Sequence, residues 1–347
     1  MKTDWKDFLV DAGAEYEDEL VAHYGNPEQE QEIVSSGLVF SDLGHLGVIA
    51  AHGTDVESFL QNQLSNDISR LGENISQLNA YCTPKGRILG LFRLFRIGDT
   101  IYLRLPADTL DAVLQRLRMY VLRADVTLED VSENFLRIGV TGNTAVQELT
   151  DAIGALPEAI NHVTHSGDLT VLQVPGVHAR FEVYATSLEA ATGLWDTLNV
   201  RGAPVGLSAW RLTEIQAGLP TIFADTAELF VPQMVNLQLV DGLDFRKGCY
   251  PGQEIVARMQ YLGTLKRRMY LGRIDTSEAP HPADELYTAD DSEQASGRIV
   301  DAQPHPDGGY AALAVLQIKA AAAGNLHLGN SAGPAFTIEE LPYTFET

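Results

Sequence analysis

The amino-acid sequence predicts an α+β protein built in three parts, and three observations carry that reading. A β-α-β-β-α-β order runs through residues 135–205, the split βαβ pattern of ferredoxin-like domains. Short β runs divided by Gly and Pro occupy residues 265–347, which suits a small β-barrel. Residues 1–134 and 206–264 combine a strong hairpin with helices and form one discontinuous α+β domain around the middle one. A chain of 347 residues accommodates this division at roughly 100–200 residues per domain.

Each element has a local signal. Trp5, Phe8, Leu9, Tyr16 and Leu20 recur at near-helical spacing among ten acids and two lysines in residues 1–32, predicting an amphipathic helix with an acidic outer face. Leu38–Ala51 is apolar and Gly-punctuated, hence strand, and Asp55 then caps a helix carrying Phe59, Leu60 and Leu64. Ile88–Ile97 and Thr100–Leu105 are β-rich runs joined only by Gly98-Asp99, a two-residue loop suited to a primed turn. Leu110, Val113, Leu114, Leu117 and Val121 follow at helical spacing. The middle part reads as strands Phe135–Val140, Leu169–Val174, Arg180–Ala185 and Ala203–Val205 with helices Thr144–Ile153 and Leu188–Leu198. Ser208 caps a helix to Ala217, which Gly218 and Pro220 terminate. Asp275–Gly297 is acid-rich and reads as strand fragments joined by loops. The β runs Arg298–Asp301, Tyr310–Leu316 and Phe336–Leu341 come after it.

Composition excludes several function classes. The 24 Lys and Arg against 47 Asp and Glu leave a net charge of −23, so direct nucleic-acid binding and adhesion to anionic membranes are not expected. No run approaches the roughly 18 apolar residues of a membrane span, and the first residues have no apolar leader. A cytoplasmic protein is expected. Two cysteines, Cys82 and Cys249, cannot complete a four-cysteine site, and the nine histidines form no HExxH, so no stably bound metal is expected. GxxxxGK[ST], GxGxxG and GxSxG are all missing from the sequence.

One stretch runs against the average. Residues 246–268 carry Arg246, Lys247, Arg258, Lys266, Arg267 and Arg268 against the single acid Glu254, which suggests a site for an anionic ligand or else a solvated basic face. Within it, Pro251-Gly252 is a turn pair, and Ile255, Val256 and Met259 share one face of a helix with Arg258 off that face. Cys249 would then sit at or just before a helix N-terminus beside Lys247, where dipole and cation both favour thiolate. The turn's backbone amides would cradle an anion; the plainer alternative is a small buried cysteine. Upstream, Gln216 aligns with Ala209 and Leu212 on the inward stripe of its helix while Glu214 points the other way. A buried Gln needs amide partners, in the core or in a ligand.

The run Leu243-Asp-Phe-Arg-Lys-Gly-Cys-Tyr-Pro-Gly-Gln-Glu-Ile-Val-Ala-Arg258, followed by Lys266-Arg267, resembles the signature of the YgfZ family. That family lies within the superfamily of the glycine-cleavage T-protein, a folate-dependent aminomethyltransferase. Asp42-Leu-Gly-His-Leu-Gly47, Lys85-Gly-Arg87 with Leu94-Phe-Arg96, Gln216-Ala-Gly-Leu-Pro220 and Phe230-Val-Pro-Gln-Met-Val-Asn-Leu-Gln238 fall in the family's order, so the likeness spans about residues 37–271.

The resemblance implies a T-protein-like ring with a central channel for tetrahydrofolate, housed in the discontinuous domain. It implies a folate-binding accessory role in iron–sulfur cluster assembly or repair, indirectly supporting tRNA-modifying cluster enzymes, with cluster proteins or assembly factors as partners. The functional thiol would be Cys249, aided by Lys247. Folate contacts would come from Gln216, Asn236, Tyr250, Gly252, Gln253, Glu254, Arg258, Lys266 and Arg267. Tyr250 and Tyr261 offer stacking faces to a flat heterocycle. Two departures stand out. No carboxylate occupies the place near Leu89-Gly90 where the T-protein carries its reaction-centre acid, and Gln216 replaces a pterin-contacting Glu that Glu214 could supply after a shift. The alternatives are a folate-dependent one-carbon transferase or demethylase, and an RNA- or protein-binding module using Lys266–Arg268.

Overall fold

The computed structural model describes residues 2–261, 263–289 and 294–345. Helix α1 (Lys2–Asp11) buries Trp5 and Leu9 and stops where Gly13 takes φ +97°. Tyr16 and Leu20 therefore leave the predicted helix and lie in the hairpin of β1 (Glu15–Glu17) and β2 (Leu20–His23). Helix α2 (Pro27–Ile33) opens on Asn26, whose side chain accepts from the Gln29 amide.

The predicted strand Leu38–Ala51 is two strands, β3 (Val39–Asp42) and β4 (Leu46–His52), parted by a turn. After α3 (Val56–Gln61) come β5 (Gln77–Cys82), β6 (Ile88–Ile97), β7 (Thr100–Pro106), α4 (Ala107–Val121) and β8 (Thr127–Asp130). The β6–β7 hairpin pairs Ile97 with Thr100 across Gly98 at φ +57°, as the two-residue loop requires. These strands form a sheet in the order β5-β6-β7-β4-β8, and α4 lays Leu110, Val113, Leu114 and Leu117 against it.

The middle part contains β9 (Leu136–Thr141), α5 (Ala145–Ile153), β10 (Val163–Ser166), β11 (Leu169–Val174), β12 (Arg180–Ala185), α6 (Leu188–Leu198) and β13 (Ala203–Pro204). Its sheet runs β10-β11-β12-β9-β3-β13, so β3 enters from outside residues 135–205 and separates β13 from β9. A two-residue strand ending in Pro204 offers little to a ladder, whereas Phe40 of β3 buries its ring edge-on against Trp195 at 4.6 Å. Trp5 of α1 meets the same Trp195 at 5.5 Å, which places the N-terminal helix on the middle part.

Helix α7 (Leu207–Gln216) follows, with Gly206 and not Ser208 at its N-cap; the Ser208 hydroxyl donates to Gln303 at 2.8 Å. After α8 (Gln253–Tyr261), a barrel closes in the order β14-β17-β16-β15-β18-β19. Its elements are β14 (Arg267–Ile274), β15 (Glu285–Thr288), β16 (Gly297–Pro304), β17 (Tyr310–Gln317), α9 (Ile318–Ala323), β18 (Leu326–Leu328) and β19 (Ala335–Glu339). Of the predicted acidic loops, Asp290, Asp291 and Glu293 lie outside the described residues.

The three parts meet around α7. Leu212 and Ile215 pack with Ala80, Ile88 and Leu91 of the first sheet and with Met269 and Leu313 of the barrel. Trp210 lies so close to Gly139 that a β-carbon there would stand 2.4 Å from the indole. Buried ion pairs thread the same junction. Arg104 of β7 grips Glu182 of β12, with Nε 3.1 Å from Oε2, and the Tyr184 hydroxyl donates to Glu182 at 2.8 Å. Arg180 stands 3.8 Å from Glu214, and Arg211 Nε donates to Asp301 of β16 at 3.2 Å. Burial works against charge on Glu182, but Arg104, Arg93 and Arg180 outweigh it and hold the carboxyl at about 2.

Removing Arg104 would leave the Glu182 carboxylate buried without its main partner. Arg104→Met is expected to cost about 3–5 kcal/mol in urea unfolding at pH 7. Because the folded-state pKa of Glu182 lies below its ordinary 4.5, the pair's contribution is complete above about pH 4.5 and fades as pH falls toward 2. The gap between wild type and variant should therefore narrow at pH 3.

Candidate functional site

The signature loop turns Lys247 and Tyr250 inward and leaves Arg246 and Cys249 exposed. Lys247 is 7% exposed, and its ammonium donates to the Gln61 carbonyl at 2.7 Å and to that of Leu64. Burial lowers its pKa to about 8 against the pull of Asp67 and Asp244. Tyr250 is buried with Leu243 and Val256, and the Lys247 ammonium lies 5.2 Å from its ring centre. Gly252 takes φ +84° and presses on the neighbouring turn, where a β-carbon would come within 2.6 Å of the Thr83 carbonyl and Gly86 Cα. Gln253 Nε2 donates to the Lys247 carbonyl at 3.2 Å. Gly248 and Cys249 remain exposed. The Pro251-Gly252 turn separates Cys249 from α8, which begins at Gln253, so the thiol does not sit at the helix N-terminus that the sequence suggested.

Other expected ligand contacts have different work or different places. Glu254 and Arg258 pair with each other at 2.9 Å on the solvent face of α8. Lys266 is exposed, while Arg267 and Arg268 are successive residues of β14 and project to opposite faces. Arg267 donates to the Ala295 carbonyl at 3.4 Å; burial, then Arg298 and Arg87, lowers its pKa. The six cations of residues 246–268 thus do not converge on one cavity. Asn236, at φ +58°, is a clasp between parts: its amide donates to the Met269 carbonyl at 2.9 Å and to the Tyr343 hydroxyl at 3.3 Å, and Tyr343 in turn donates to the Gly218 carbonyl. Gln216 lies half-buried at the end of α7.

Glu214, expected to point outward, is buried and lines a cavity. Leu207, Arg211 and Glu214 form one stripe of α7 and Ala209, Leu212 and Gln216 the opposite one. Both stripes are covered because the helix is wedged between the first sheet and the barrel, so an inward and an outward face cannot be told apart from spacing. The cavity encloses about 380 Å³ between Leu20, His45, Arg104, Pro106, Glu214 and Phe223. Both His45 ring nitrogens are buried and have no hydrogen-bond partner among the described residues. Burial, reinforced by Arg211 and Arg104, takes the imidazole pKa down to about 3, so it stays neutral. His45 lies inside the motif Asp42–Gly47, the one sequence signal that could have found it. A second, more open cavity of about 580 Å³ lies beside the signature loop, lined by Asn66, Arg70, Gln77, Asp244, Arg246 and Tyr261. Cys249 lines neither.

Leu89 packs with the helical side of the first sheet, and a β-carbon on Gly90 would meet Val113 at 3.1 Å. That stretch of β6 is apolar packing.

These features coincide with known proteins. The family pattern described as the GCVT N-terminal domain matches residues 12–244. A solved aminomethyltransferase T of the glycine cleavage system from Bartonella henselae superposes with a TM-score of 0.78, covering 97% of this chain and 96% of that one at 16% identity. The fold is therefore that of aminomethyltransferase T, with a closed C-terminal barrel. The tRNA-modifying protein YgfZ of Yersinia pestis (strain Pestoides F) is 31% identical over 315 residues, 90% of this chain and 95% of that protein. The YgfZ of Colwellia psychrerythraea (strain 34H / ATCC BAA-681) is 29% identical over 308 residues, covering 87% and 92%. The chain belongs to the YgfZ family.

Two outcomes follow from the loop. A thiol reagent such as DTNB should titrate one cysteine in the native protein and two in denaturant, because Cys249 is exposed while burial pushes the Cys82 thiol up to about 12. Lys247→Ala should lower stability by about 2 kcal/mol in chemical denaturation by stripping two buried carbonyls of a charged donor.

Proposed function

We propose that this chain binds a reduced folate in the His45–Glu214 cavity and acts through the Cys249 thiol in iron–sulfur cluster assembly or repair. In that role it would support the cluster enzymes that modify tRNA. The observation carrying this reading is the exposed Cys249, held on a loop whose neighbours Lys247 and Tyr250 are buried, in a chain of the YgfZ family. A loop packed this firmly keeps its thiol displayed at little entropic cost.

The cavity's chemistry fits the pterin end of folate. That heterocycle presents N–H donors along one edge and ring nitrogens that accept. Glu214 can receive the donors, and neutral His45 offers one donor and one acceptor that nothing else satisfies. Arg104 and Arg211 supply positive potential near an anionic glutamate tail, although each already holds a carboxylate. The volume lies within the range of roughly 300–1,000 Å³ common for such ligands. When bound, a reduced folate supplies one-carbon chemistry; the chain's own residues bind and orient it. An aminomethyl transfer would further need a titratable acid near Leu89-Gly90, where the chain has none.

Calorimetric titration with tetrahydrofolate should show binding that Glu214→Gln and His45→Phe each weaken by about tenfold, a loss of some 1.4 kcal/mol, while Gln216→Ala changes it little. Unchanged affinity in both cavity variants would remove the folate from this site. In cells lacking their YgfZ protein, wild type should restore methylthiolated tRNA and Cys249→Ala should not. Full rescue by Cys249→Ala would reduce the thiol to a bystander.

A further inference from the structure

An apolar tip stands out on the surface. Helix α4 ends on Met119, Tyr120 and Leu122, whose exposures are 64%, 43% and 86%. Leu122 adopts φ +49° and ψ −102°, a backbone state that a β-carbon disfavours. A leucine both strained and solvated gains nothing from burial, and glycine would serve the turn better. The same tip carries Arg116, Arg118 and Arg123, with no acid between Asp111 and Asp125, on a chain whose net charge is −23. A relay of contacts links the base of this tip to the signature loop. Arg116 and Tyr120 neighbour the Tyr81 phenol, Tyr81 bridges to Leu64, and the Leu64 carbonyl accepts from Lys247, two residues from Cys249.

We propose that the Met119–Arg123 tip is the docking surface for a partner protein that presents an apolar pocket rimmed by Asp and Glu. Charge complementarity selects an acidic partner, because this tip carries three arginines and no acid on a molecule whose net charge is −23. One feature favours protein over RNA. Met119 and Leu122 are aliphatic knobs, suited to a pocket and unable to stack on bases. The docking surface is independent of the folate cavity and would survive that reading's failure.

The test places the photo-cross-linking residue p-benzoylphenylalanine at position 122 of the full chain in living cells. The expected result is an RNase-resistant adduct with an acidic protein. That protein, purified, should bind the chain in a salt-sensitive way, and Met119→Asp and Leu122→Gly should each weaken binding by about tenfold. Leu122→Gly should meanwhile leave the melting temperature unchanged or raise it, which a merely structural leucine would not do. The proposal is overturned by the absence of a protein adduct, by an adduct that RNase removes, by an adduct only with a second copy of this chain, or by affinity that both substitutions leave intact.

Discussion

Charge buried where three parts meet is the constraint on which the rest of this molecule depends. Arg104–Glu182 joins the first sheet to the middle one, Arg180–Glu214 joins the middle sheet to α7, and Arg211–Asp301 joins α7 to the barrel. Such pairs add little net stability over well-packed apolar residues, yet separating one strands a charge in a dry interior at a cost of several kcal/mol. The network therefore opposes any arrangement that parts its members. Burial raises Asp301 to about 6 even with Arg211 beside it.

The signature loop follows a different rule. Its lysine and tyrosine are buried, its second glycine presses on a facing turn and its glutamine donates to the Lys247 carbonyl, while Cys249 is exposed. This also explains why Gly86 and Gly252 occur on facing turns. Both take positive φ, and side chains on either would force the turns apart. The cavity and the thiol are consequently separate features of the protein, one in the interdomain junction and one on the surface.

Much of the fold was legible in the chain. The β6–β7 hairpin, α4, β11, β12 and α6 follow from alternation, helical spacing and a two-residue turn, all of which act over a few residues. The insertion of β3 between β9 and β13 was not legible, because strand partners far apart in sequence leave no local trace. The strands β14 and β18 were missed for a related reason: barrel closure, not propensity, makes them strands. At the site, spacing placed Gln216 inward and Glu214 outward, a distinction that fails for a helix covered on both sides.

Alone, the sequence determined many of the elements and the kinship, since periodicity and motif are written residue by residue. Tertiary structure decided which polar groups share a cavity, which cations are scattered, and that Cys249 faces water while Lys247 does not. Those outcomes depend on burial, and burial is a property of what distant segments bring to the same place.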